Sequence, residues 1–218
     1  MQADPDGLAL LQSLGAKSVP VVSKGRDFVF GQSIGDVAAF LGIDIDTRPN
    51  LSPSELVEKI DMILAAAQRF VGQFPQGTAD QDVLDRKRTY RELSFHVFRV
   101  VEALLDCADG GELSYQYYAD NPPVQMRRFG QITDYGGQIR RRLINWWDGF
   151  GDRSCKASVA TYFGEKPLHE VMERTAWHAG QHVRQFMMLL EQMEIDPQSP
   201  LTSEDFKGLP MPEKVWDE

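Results

Sequence analysis

Basic charge, cysteine and histidine are all scarce in this chain. Lys and Arg number 23 against 32 Asp and Glu, a formal net charge of −9 over 218 residues. An acidic chain repels phosphate backbones, which argues against general nucleic-acid binding. The only cysteines, Cys107 and Cys155, are too few and too far apart for a disulfide framework or a CxxC pair. That fits a reducing, cytoplasmic setting and removes cysteine-rich metal sites. No apolar run approaches the roughly 20 residues of a membrane span. The opening MQADPDGLALLQSL lacks a basic stretch and a small-residue cleavage site, so no signal peptide is expected. What remains is a globular composition, 42% hydrophobic and 25% charged, with four histidines: His96, His169, His178 and His182.

The texture changes near residue 46. Asp44, Asp46, Pro49, Asn50, Ser52, Pro53 and Ser54 crowd a short span, which is linker chemistry. This divides the chain into 1–46 and 47–218. In the first part, Pro5 to Leu14 reads as a helix. Residues 18–22 read as a strand, Lys24-Gly25-Arg26-Asp27 as a turn, and Phe28-Val29-Phe30 as the returning strand. Ser33 with Asp36 caps a helix that stops at Gly42. Forty-odd residues in this α-β-β-α order bury little surface alone. The second part is helical in pattern. Ser52-Pro53-Ser54-Glu55 is a capping box that opens a helix over 53–73. Further helices are expected over 83–106, 125–149 and 167–193, and the prolines beyond 197 indicate a surface-draped tail. The fold expected is mainly α, an antiparallel four-helix bundle with a small N-terminal α-β-β-α piece.

His178 and His182 stand four residues apart, so a helix puts both imidazoles on one face, a turn apart. His96 lies midway along the 83–106 helix among apolar neighbours. Where those two helices face each other, three neutral imidazoles leave a divalent metal at least one open coordination position. The plainer reading is that such histidines are hydrogen-bonded core residues. Three of four histidines at core-facing places weigh against it. Gln181 and Gln185 are weaker candidate ligands or substrate contacts. Glu92 is a candidate second partner for His96, Glu102 is expected at the surface, and His169 reads as a surface or cap residue.

A histidine in the second long helix and an H-x3-H pair late in the fourth resemble the DinB/YfiT-like superfamily of metal-binding four-helix bundles. The likeness runs over about 52–195 and is carried by His96 and by the stretch from His169 to Leu190. It implies a divalent metal, zinc or nickel, on His96, His178 and His182. It also implies a thiol-dependent transferase or isomerase activity in some members. The N-terminal segment is similar to the C-terminal part of a glutaredoxin. The likeness rests on Lys17-Ser18-Val19-Pro20-Val21-Val22 and Phe28-Val29-Phe30-Gly31-Gln32-Ser33. That resemblance implies a cis proline and a glutathione-docking edge at Val19, Pro20, Gly31, Gln32 and Ser33. The redox motif and the first half of that fold are missing, so redox catalysis is not expected. The segment alternatively serves only as a packing element.

Together the two likenesses imply a metal-dependent transferase or isomerase that takes glutathione or another low-molecular-weight thiol and a small electrophile. Two alternatives stand beside it: a hydrolase using metal-bound water, and a non-catalytic metal- or ligand-binding bundle; each is compatible with a homodimer. Weaker features are read blandly. Arg127, Arg128, Arg140, Arg141 and Arg142 form a solvated stripe. Tyr115, Tyr117, Tyr118, Trp146 and Trp147 are packing residues. Nothing nearby in sequence activates Cys107 or Cys155 as a nucleophile.

Overall fold

The computed structural model describes residues 5–16, 19–84 and 86–216. The described chain is mainly helical, with two small antiparallel sheets. It falls into two compact units, Met1–Arg48 and Pro49–Glu218.

The first unit carries α1 (Pro5–Leu14), β1 (Val21–Lys24), β2 (Asp27–Phe30) and α2 (Ile34–Leu41). The strands pair antiparallel from Val21↔Phe30 to Lys24↔Asp27, closed by Gly25 at φ +65. β1 starts three residues later than the 18–22 reading. Lys17 and Ser18 lie outside the described residues. Pro20 has no N–H to give a ladder, and its carbonyl instead accepts from Gly31 N at 2.8 Å. The Val19–Pro20 peptide is cis. α2 is capped by Ser33 Oγ, which accepts from Asp36 N, and ends at Gly42 in the left-handed region. Its core is slight: Ser33 and Ala38 are buried, while Leu8, Leu10, Ile34, Leu41, Ile43 and Ile45 are exposed.

The second unit holds α3 (Pro53–Gln73), a 3-10 turn (Gln76–Thr78), α4 (Tyr90–Ala108), α5 (Gln116–Ala119), α6 (Phe129–Gly149), β3 (Ser158–Thr161), β4 (Gly164–Pro167) and α7 (Leu168–Gln192). α3 packs against α6 and α7, and α4 packs against the same two helices. Their apolar faces meet in one core that includes Ile60, Phe70, Phe98, Leu104, Leu143 and Phe186. At one crossing a Cβ on Gly136 of α6 would run into the Phe98 ring of α4, so only glycine allows the approach. No described helix is long and apolar enough to cross a membrane.

Several boundaries differ from the sequence reading, each for a local reason. α4 begins at Tyr90, not near 83, because Thr89 and Glu92 form a capping box there. The residues before it make a loop closed by Val83 N to Arg88 O at 2.8 Å, with Val83 buried. α6 begins at Phe129, because Gln131 Oε1 accepts the N–H groups of Arg127 and Arg128. The 150–166 connection contains the β3–β4 hairpin, which turns through Tyr162-Phe163 and has Gly164 at φ +113. The tail is not merely draped. Phe206 and Leu209 are buried in it, and Lys59 Nζ donates to Asp205 O at 2.7 Å.

Candidate metal centre

α4 and α7 pack side by side, and their facing turns bring His96, His178 and His182 together. Each offers a ring nitrogen, and these atoms all lie within 4.8 Å of one another. The ring centroids are 4.8 to 5.2 Å apart, with His96 Nε2 and His178 Nε2 at 3.1 Å. His96 is buried, and His178 and His182 are half-buried.

The protonation state follows from this environment. Burial, then the neighbouring imidazoles and the Arg88 guanidinium, hold His96 and His178 well below the ordinary imidazole range. Arg174 adds to the effect on His178. His182 is brought down to about 4, again mainly by burial, with Arg88 adding to it and its bond to Gln185 opposing. At neutral pH all three rings are therefore uncharged. His182 Nδ1–H donates to Gln185 Oε1 at 2.8 Å, which leaves Nε2 as the lone-pair nitrogen. That Nε2 is buried and has no hydrogen-bond partner among the described residues.

Three neutral imidazoles with converging ring nitrogens, the His182 Nε2 among them without a partner among the described residues, fit a divalent cation. Among the described residues no Asp, Glu or Cys joins the group. His96 Nδ1, and Ser94 Oγ elsewhere on α4, are also buried without partners among the described residues.

The other candidates fall elsewhere. Glu92 does not serve His96; its carboxylate accepts the Thr89 N–H at the head of α4. Glu102 is half-buried and accepts from Tyr135 Oη and Arg99. The His169 ring bonds the Leu51 carbonyl at 2.7 Å. Gln181 and Gln185 both donate to carbonyls of the tail, at Lys214 and Val215. Both cysteines are buried and free, and burial raises the Cys107 thiol and pushes Cys155 up to about 11. The arginine stripe is partly neutralised: Arg140 grips Asp61 with two bonds, and Arg142 spans Asp106 and Asp109. Trp146 lies against Trp147 and Phe150 in tilted ring contacts, with centroids 5.8 and 4.9 Å apart.

In the first unit, the Val19 carbonyl accepts from Gln32 Nε2 at 3.0 Å, so Gln32 ties the cis-proline step to the turn before α2. Gln32 Oε1 is buried and has no partner among the described residues. Gly31 sits tight against the Pro20 ring, and Ser33 is occupied as the α2 cap.

Two residues at the histidine cluster, Arg88 and Arg174, were not singled out from the sequence, and Tyr118, read there as a packing residue, lies against the cluster. Tyr118 of α5 places its ring 5.4 Å from His178 and 6.1 Å from His96. Arg174 Nη1 donates to Tyr118 Oη and Nη2 to Tyr162 Oη, both at 2.9 Å. Arg88 Nη2 donates to the Tyr118 carbonyl at 3.4 Å. One signal for Arg174 was present: it precedes His178 by four residues, on the same face of α7. Arg88 carried none, because its loop lies in a stretch that reads as helix. Compared with models of known protein families the chain matches none, and it matches no curated protein.

Proposed function

We propose that residues 49–218 form a DinB-like four-helix bundle that holds zinc or nickel on His96, His178 and His182. In this reading it serves a thiol-dependent transfer or isomerisation, with glutathione or another low-molecular-weight thiol as co-substrate. The observation that carries the reading is the meeting of three uncharged imidazoles from two helices, with no carboxylate among them. A divalent cation held there supplies Lewis acidity and lowers the pKa of a bound thiol.

The chain's own residues have distinct parts in this reading. His96 and the α7 pair present lone pairs, and Gln185 fixes which nitrogen of His182 faces inward. The Tyr118 ring lies against one side of the cluster, 5.4 Å from the His178 ring. Arg88 and Arg174 lend positive potential, which favours a thiolate over a thiol. Among the described residues no carboxylate joins the cluster, which weighs against hydrolysis, since that needs a base for water. In the first unit, Val19, Pro20, Gly31, Gln32 and Ser33 are the proposed thiol-docking edge.

Elemental analysis after dialysis against zinc or nickel tests the metal. The reading requires about one ion per chain and its loss in His96→Ala and His182→Ala. Calorimetry of the loaded protein with glutathione tests the thiol. No heat at millimolar glutathione leaves a metal-binding bundle and removes the transferase reading.

A further inference from the structure

Two guanidinium groups stand at the histidine cluster, and among the described residues no carboxylate bonds to either. Arg88 reaches the backbone of Tyr118 and Arg174 reaches its hydroxyl, and the ring between them abuts His96 and His178. Arg174 is held by two phenol oxygens and lies over the Phe163 ring at 5.1 Å. Among the described residues, neither arginine makes an ion pair with a carboxylate. Glu92 is the carboxylate that acts on Arg88 through space, and its own oxygen is committed to the Thr89 N–H at 2.8 Å. Arg88 is half-buried, and the bond to Tyr118 O, at 3.4 Å, is long and easily given up.

A desolvated guanidinium with no counter-ion is costly unless something supplies the missing charge. Here Arg88, desolvated by burial, and the phenol-held Arg174 border a cluster of neutral rings, with no carboxylate bonded to either among the described residues, in a chain whose net charge is −9. The local potential is therefore opposite in sign to that of the whole molecule, which is how a site concentrates an anion. Arg174 is fixed by its tyrosines and contributes standing charge. Arg88, with one weak bond to a carbonyl, is free to turn toward a ligand and to grip a carboxylate through two N–H groups.

We propose that the three-histidine site takes an anionic small molecule, a thiol that also bears a carboxylate, and that Arg88 recognises the carboxylate. This rests on the metal reading above and adds to it the charge of the ligand and the residue that selects it. Arg88 does not touch the metal nitrogens, so its role is specificity and not metal retention.

The test uses the full chain loaded with cobalt(II), whose uptake is measured first by elemental analysis. Mercaptopropionate and mercaptoethanol are then titrated at low salt, following the thiolate-to-cobalt absorption in the near ultraviolet. Mercaptopropionate is expected to bind roughly tenfold more tightly, with the advantage shrinking as salt is added. Arg88→Gln should abolish the advantage at unchanged cobalt content, and Arg88→Lys should keep part of it. Equal affinity for the two thiols in the unmutated protein overturns the proposal without any variant. So does a preference that survives in Arg88→Gln. Failure to take up cobalt overturns the metal reading and this proposal with it, and is seen before any thiol is added.

Discussion

Gln185 holds His182 by its Nδ1–H and the tail by the carbonyl of Val215, so one side chain ties a candidate metal ligand to the C-terminal segment. The first bond sets the tautomer of His182, and the second sets the rotamer of Gln185. Such outer partners of ligating histidines govern affinity. Gln185→Ala is therefore expected to weaken zinc binding by about tenfold or more. Competition with a chromophoric chelator measures it. Unchanged affinity would mean that the Gln185 bond does not orient the ring.

Metal loading should stabilise the second unit. A ligand at a hundred times its dissociation constant adds about 2.7 kcal/mol to a protein that binds it only when folded. Zinc is expected to raise the melting temperature of the metal-free protein by several degrees, and a chelator to reverse the rise. His178→Ala should melt at the same temperature with and without zinc. A rise that persists in that variant would locate the metal elsewhere.

How much of this was legible in the chain depends on how local the signal was. α3 is read to the residue, because Ser52, Pro53 and Glu55 write its start and Phe74-Pro75 its end within the sequence itself. The start of α4 differs, because Val83 continues the apolar spacing although it is a buried residue of the loop before the helix. The β3–β4 hairpin was missed because its turn is Tyr162-Phe163, without the Asn-Gly or Asp-Gly that announces a tight turn. For the site, the i, i+4 pair and the mid-helix His96 are sequence features. The approach of Tyr118 and Arg88 is not, since both sit in irregular segments whose paths are set by tertiary packing.

Stability of the metal-free protein should depend on pH in a defined window. The three imidazoles titrate below their ordinary value of 6.5 when folded, His182 at about 4. The unfolded chain therefore binds protons first as pH falls, and the native state loses ground. Stability is expected to be flat above pH 6.5 and to fall from there toward pH 4. The carboxylates held low, such as Asp46 at about 2, act mainly below that range. Urea midpoints between pH 8 and 4.5 check this. The fall should be shallower in His182→Gln, and an equal fall in that variant would assign the loss to other groups.

The tight approach of α6 to α4 yields a packing test. Gly136 faces Phe98 with no room for a Cβ, and the Phe98 side chain is fully buried, so it has nowhere open to retreat. Gly136→Ala gains helix propensity, yet it must push α6 away from α4 or force the ring off its rotamer. The steric cost, roughly 1–3 kcal/mol, exceeds the gain of about 1 kcal/mol from replacing a helical glycine. A net loss of stability is expected in denaturant unfolding. Phe98→Leu should then lose stability alone but soften the cost of Gly136→Ala when the two are combined, because the smaller side chain makes the space that the new methyl needs. Strict additivity of the two changes would show that the contact between Gly136 and Phe98 does not limit the approach of the helices.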